Sequence, residues 1–489
     1  MGWTKGYLPR NDRDAQSIRI KRYRKMRVKD LIGTKDFYKK VFAIALPIML
    51  QNGISNFVGL LDNIMVGKLG TEQMSGVSIV NQLQFIFFLC MFGAIGGTGI
   101  FTAQFFGQKN DEGVRHTFRF KYILGFIILA LFLCIFLFFD KQLISLYLHE
   151  GSAEGDLLAT LNFGRTYMAI MVIGLIPCLF ENVYSSTLRE CGETVIPMIA
   201  SVAAVFINLV LNYMLIFGHF GAPVLGVAGA AYATNISRFI QAIIVIAWTH
   251  THAQKYTFII GAYKTFKVPM QLVRNMLVMA APLIMNETLW SAGIAAMTQI
   301  YSRRGLSVVA ALNINSTINN VFNIAFIAMG DSVAILVGQL LGAGKLKEAK
   351  ETSYRIITFS VVMCLFIGTA LYLFAPIFPN VFNTTQEVKD IASGLIKVSA
   401  VLMPVNAFLH ATYFTIRSGG KTLITFLFDS GFLWVISVPL AIALVNLTAW
   451  SIILIFFLVE GTNIIKSFIG WLIMRSGVWM QNLVGDKDC

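Results

Sequence analysis

Long apolar runs, separated by short polar or glycine-rich turns, make up most of the chain from about residue 41 onward. The runs are continuous rather than alternating, so they read as helices and not as strands of a barrel. A helix needs about 20 mainly apolar residues to cross a bilayer. Windows of that width centre near residues 53, 90, 130, 170, 207, 238, 285, 323, 365, 403, 432 and 461, which predicts twelve spans. Almost nothing is left over for a soluble domain. The expected fold class is an all-α polytopic membrane protein.

Composition supports this. Of the 489 residues, 56% are hydrophobic and 13% charged, whereas a soluble domain carries roughly 25% charged residues. A soluble enzyme and a disordered chain are both excluded. The six cysteines, at 90, 134, 178, 191, 364 and 489, show no paired spacing. That disfavours a disulfide scaffold and a zinc site.

Charge gives the orientation. The first 40 residues hold 13 of the 39 Lys and Arg. The run that follows continues through Pro47, Gln51, Asn52 and Asp62 without a small-residue cleavage pattern, so a signal peptide is not expected. With the N-terminus inside, the even-numbered loops gather Arg115, Arg119, Lys121, Arg189, Lys264, Lys345 and Arg417 among others. The odd loops hold far fewer, such as Lys68, Lys141 and Arg165. This is the positive-inside pattern, and it predicts a plasma (inner) membrane protein with both termini cytoplasmic. The formal charge of +14 then serves topology and contact with anionic lipid. A nucleic-acid partner is not needed to account for it.

The chain also matches itself at an offset of 235 residues. Ala45-Leu46-Pro47-Ile48-Met49 answers Ala280-Ala281-Pro282-Leu283-Ile284, and Gly70 answers Gly305. Ala103-Gln104-Phe105-Phe106-Gly107 answers Gly338-Gln339-Leu340-Leu341-Gly342 in the same register. After a shift of a few residues, Leu188-Arg189 answers Ile416-Arg417. The offset covers six spans, an even number, so both halves enter the membrane in the same direction. Parallel repeats of this kind build transporters that bind substrate between two lobes and rock them. The expected division is a basic segment over 1–40, a first lobe over 41–250 and a linking loop over 251–267. A second lobe over 268–475 and a tail over 476–489 complete it.

At these residues the sequence resembles the MATE family of multidrug and toxic compound extrusion transporters. Leu46-Pro47-Ile48 through Leu61-Asp62-Asn63-Ile64-Met65-Val66-Gly67 looks like the family's opening helix. Leu188-Arg189 with Gly192, Thr194 and Pro197, then Asn208-x3-Asn212 and Gly226 through Thr234, look like its fourth to sixth helices. Glu287 stands where the NorM-like branch carries a seventh-helix glutamate. That branch expects an acid in the tenth helix eleven positions before its closing basic residue, and counting back from Arg417 gives Asn406. The DinF-like branch relies on first-half carboxylates, which this chain keeps.

A carboxylate inside a span is expensive and is usually functional. Asp62, Glu181, Glu287, Asp331, Asp429 and Glu460 all fall at such positions. Asp62 lies in the outer part of the first span. Asn208 and Asn212 are four apart and share one face of the fifth. Thr234, in the descending sixth, reaches a similar depth. Together they form a hard oxygen cluster suited to a small cation, with a carboxylate equally able to take a proton. The resemblance assigns the same four positions to a first-half cation site, holding Na+ if sodium is the coupling ion. Glu287 answers Asn52 in the first repeat, so the halves are chemically asymmetric there. It is expected to bind a cationic substrate or a second ion, with Asn406 as its altered counterpart.

No Walker A pattern and no room for an ATPase domain are found, so the energy is expected from a gradient of Na+ or H+, without a cofactor. The expected function is secondary active antiport, exporting organic cations or amphiphilic drugs, with a monomer sufficient because both lobes share one chain. A flippase for a lipid-linked sugar is the alternative. It calls for a cavity rich in Arg and Lys, whereas the charges read as buried are mainly acidic. A membrane transferase using His410 as a base is a third reading, set against a core histidine.

Overall fold

The computed structural model describes residues 31–148 and 156–485. Most of the basic segment over 1–40, and the end of the tail, lie outside the described residues. Among the described residues eleven helices are long and apolar enough to span a membrane, and a bent pair of shorter helices makes a twelfth. The first half contains α1 (Lys35–Gly67), α2 (Thr71–Gly107) and α3 (Asp111–Phe138). It continues with α4 (Leu157–Met171 and Leu175–Glu190), α5 (Val195–Phe217) and α6 (Val227–Thr251). The second half contains α7 (Met270–Ser302), α8 (Leu306–Gly342), α9 (Leu346–Phe374), α10 (Gln386–Ser418), α11 (Thr422–Leu447) and α12 (Ile452–Ser476). No strand occurs among the described residues.

The repeat is visible in the elements. α1 and α7 both have 33 residues, and α2 and α8 both have 37. Gly70 and Gly305 open α2 and α8 with φ of +140° and +121°, a backbone conformation that suits glycine. Pro47 and Pro282 lie inside α1 and α7 at matching places. α1 begins at Lys35, earlier than the apolar run, because the Thr34 side chain caps it by accepting from Phe37 N–H. α4 bends by 50° at residues 172–174.

Successive spans alternate in direction, so one face of the molecule collects the start of α1, the end of α12 and the even turns. We call this face the base. One core cluster gathers Val80, Phe87, Phe118, Leu179 and Val245 of the first half. Two others gather Leu395, Ala441 and Ile455, and Met329, Ile356 and Phe414, in the second. Residues 252–269, between α6 and α7, pack against the first lobe. Arg119 donates from Nε to the Ala262 carbonyl and from Nη2 to the Gly261 carbonyl, both at 2.8 Å. Tyr256 Oη donates to Glu193 at 2.9 Å.

The lobes meet along α2, α7 and α8, where glycine lets backbones touch. A Cβ on Gly97 would lie 2.4 Å from Ala280 Cα, and one on Gly93 2.7 Å from Ile284 Cα. At the base, a Cβ on Gly107 would lie 1.9 Å from the Gln339 carbonyl, and one on Gly342 1.9 Å from the Gln104 carbonyl. The two lobes therefore press backbone on backbone at symmetry-related points.

Candidate functional site

The four first-lobe residues singled out in the sequence form one network. Asn212 Nδ2 donates to Asp62 Oδ1 at 2.7 Å. Asn208 turns an amide atom toward both Asp62 oxygens, 2.9 Å from each. With nitrogen on that side the amide donates to the carboxylate, and its oxygen accepts from Thr234 Oγ1 at 3.2 Å. The four-residue spacing on α5 puts both asparagines on the face toward α1, where they are 7% and 1% exposed. Asp62 and Thr234 are half-buried.

The network leaves two groups without their usual partners. Asp62 has no ion-pair partner among the described residues. Asn212 Oδ1 is sealed from solvent and accepts no hydrogen bond. Buried polar atoms are normally paired, so an orphan acceptor beside a carboxylate calls for an explanation. Asn212 turns its nitrogen to Asp62 and Asn208, so both amides must turn over for their oxygens to join Asp62 in an all-oxygen set suited to a hard cation. The residues fit such an ion, and Asp62 alone suffices for a proton.

Lower in the first lobe, Gln51 and Gln241 both donate to Ser201 Oγ, at 3.0 and 3.1 Å. Ser185 Oγ donates to Glu181 at 2.7 Å. Glu181 is thus tied to a neutral polar layer.

In the second lobe, Glu287 and Asn406 belong to separate hydrogen-bond networks. Tyr413 Oη donates to Glu287 Oε1 at 3.3 Å. Asn286, next to it, donates to Tyr413 Oη and to Asp429 Oδ2, each at 3.2 Å. Asn406 faces α12 instead, accepting from Asn463 Nδ2 at 3.3 Å, and Asn463 also donates to Glu460 at 3.2 Å. Asp429 is paired with Lys466 of α12, Nζ to Oδ1 2.8 Å. Asp429 rides on a widened π-helical turn, Leu427–Gly431, a local distortion frequent at functional sites. Lys466 escaped the sequence reading. Its signal was a lysine inside the last apolar run, the same test that picked out the carboxylates.

Between the lobes lies an open cleft lined by α2, α4, α8 and α10. Its charged walls are Arg189 and Glu190 of α4, Asp331 of α8 and Arg417 of α10. Asp331, one of the carboxylates inside the apolar runs, therefore lines the cleft. The expectation of mainly acidic buried charge is corrected here. Arg189 and Arg417 counted as loop charges in the sequence, but both line the cavity, and Arg417 is only 6% exposed. α4 and α10 continue farther toward the base than their apolar stretches indicated. Gly96 and Gly99 of α2 make space for these groups, since a Cβ would meet Arg417 Nη2 at 1.7 Å and Glu190 Oε1 at 2.1 Å. Glu190 also pairs with the buried Lys121, at 2.5 Å.

His410 packs edge-on against Phe326 and tilted against Phe414, with ring centroids 5.4 and 5.0 Å away. Its Nε2 is buried and has no hydrogen-bond partner. It packs as a core side chain.

Repeated helical lobes closing around a charged cleft define a membrane transporter. The chain belongs to the MatE family, whose model matches residues 47–214 and 282–443, one stretch in each lobe. Members of this family are transporters, not enzymes, so the transferase reading of His410 is set aside. The chain is 24% identical over 464 residues to the probable multidrug resistance protein NorM of Thermotoga maritima, covering 92% of this chain and 95% of that protein. It is 24% identical over 428 residues to the probable multidrug resistance protein YoeA of Bacillus subtilis, covering 85% and 89%. Its fold is similar to that of the Vibrio cholerae MATE transporter VcmN, with a TM-score of 0.82 at 18% identity, covering 91% of this chain and 98% of the other.

Proposed function

We propose that this chain is a multidrug efflux antiporter, exporting organic cations or amphiphilic compounds while Na+ or H+ enters. It works as a monomer in the plasma membrane, with the base and both termini in the cytoplasm. The lobes over 41–250 and 268–475 rock about their seam to give alternating access. The observation that carries this reading is Asp62, a carboxylate held only by neutral groups beside an unpartnered Asn212 oxygen. An ion that binds there in one access state more tightly than in the other shifts the balance between them. Asn208, Asn212 and Thr234 supply the neutral oxygens for Na+; a proton needs Asp62 alone. Glu287 serves cationic substrate, because Asn406 brings it no second carboxylate.

The test is purified protein in liposomes, with a Na+ gradient and a pH gradient imposed separately and dye efflux as the readout. Efflux under either gradient supports the antiporter and names its ion. Lipid scrambling without ion-driven efflux would favour the flippase, for which Arg189 and Arg417 would be the anchoring groups.

A further inference from the structure

After α12 the chain does not leave the protein surface. Residues 477–485 turn back under the base and join the lobes. Gly477, with φ of +70°, ends α12 and starts the turn. Trp479 follows, fully buried, with its indole N–H donating to the Met474 carbonyl at 3.3 Å. Trp479 and Met480 pack in a core cluster of the second lobe. Four residues further, Leu483 and Val484 join the core cluster that gathers first-lobe side chains together with Leu272 and Met276 of α7, and Val484 is 4% exposed there. One short segment is thus embedded in both lobes.

The joint is a single side chain. Gln104 of α2, 0% exposed, reaches into the segment. Its Nε2 donates to the Ser418 carbonyl at 3.0 Å and to the Gln481 carbonyl at 3.2 Å, and its Oε1 accepts from Leu483 N–H at 2.7 Å. Asn482 Nδ2 donates to the Gly342 carbonyl at 3.1 Å, fixing the segment to the end of α8. α10 accommodates it through glycine. A Cβ on Gly419 would lie 1.5 Å from the Trp479 carbonyl, and Gly420, at φ +75°, lies under Leu483.

The pseudo-symmetric partner gives the comparison. Gln339 stands at the matching place on α8, and its Nε2 donates to the Glu190 carbonyl at the end of α4, at 2.8 Å. Each glutamine therefore ties its own lobe to the base end of the other. Only Gln104 has a segment of chain wrapped around it. In the first half the corresponding length, residues 252–269, stays with its own lobe through Arg115 and Arg119.

We propose that residues 479–484 are a strap that clasps the two lobes at the base, and that Gln104 is the catch. This rests on the alternating-access reading: opening the base must pull Gln104 away from Ser418, Gln481 and Leu483 and part the mixed core around Val484. Trp479 keeps the strap on the second lobe throughout. The strap thereby sets the resting balance between the base-closed and base-open states.

The test uses the full chain in nanodiscs, spin-labelled at Glu112→Cys and Lys347→Cys. These are exposed positions on the first turns of α3 and α9, 235 residues apart, and singly labelled chains account for the native cysteines. Leu483→Pro removes the N–H that Gln104 accepts. Val484→Thr keeps the shape but puts a hydroxyl into the core that first-lobe side chains share with α7. Losing one such anchor should raise the long-distance, base-open fraction by about three- to tenfold. Should Leu483→Pro fail to fold, Val484→Thr decides alone. An unchanged distance distribution in the folded variants overturns the strap. Absence of ion-driven efflux by the unmodified protein would instead overturn the transport reading, which the spin distances do not depend on.

Discussion

Asp62 is anchored by two amides and pairs with no cation among the described residues, so its charge is costly wherever water is excluded and cheap once an ion arrives. Asp62→Asn is expected to reduce ion-driven efflux to the passive leak while expression and melting temperature stay close to those of the parent. Asn212→Ala removes the orphan oxygen and separates the ions. If Na+ couples, the Na+ concentration needed for half-maximal efflux should rise by roughly tenfold, about 1.4 kcal/mol, while a proton-driven protein should respond far less. Glu287 has a hydroxyl partner in Tyr413 but no bonded carboxylate from α10. Glu287→Gln should therefore weaken efflux of cationic dyes more than of neutral ones; equal losses would assign it to structure or coupling. The first-lobe site was legible because its residue types are rare inside apolar runs and their spacing fixes a helix face. The pairing of Asp429 with Lys466 was not, because two charges on different helices share no local pattern.

Among the elements, α11 and α12 are joined by that buried pair, and removing one partner strands the other. Lys466→Met is expected to lower stability by about 3–5 kcal/mol, read as a drop in melting temperature in detergent, with Asp429→Asn added to recover most of it. α2 supplies a second test. Gly97 has Ala280 Cα 2.4 Å from its would-be Cβ, while Gly59 of α1 has nothing within 4 Å. Gly97→Ala should destabilise the seam and cut transport. Gly59→Ala should leave transport intact and gain up to about 1 kcal/mol from helix propensity. Twelve spans were readable from apolar length alone, since a bilayer enforces it. The bend in α4 and the π-helical turns of α11 depend on neighbouring helices, which a periodicity does not encode.

For the whole molecule, a maleimide that cannot cross the membrane should label Val224→Cys, exposed on the face opposite the base, and miss Lys264→Cys until the membrane is opened; the reverse pattern would invert the proposed topology. The parallel repeat was legible in three matches at one offset, and it is visible in the equal lengths of paired helices. What those matches do was not legible. Gln104 and Gln339 read only as matching positions of the repeat, and their grip on opposite lobes required the tertiary structure. The glycine seam carries one more consequence. Where backbones interlock at Gly93, Gly97, Gly107 and Gly342, sliding one lobe past the other would drive main chain into main chain. Shear is closed to this pair of bodies, and a hinge-like roll is what remains. Because the contacts join the same two rigid bodies, a roll breaks them together, so the passage from one access state to the other should be abrupt, with few half-open forms through which ions could leak.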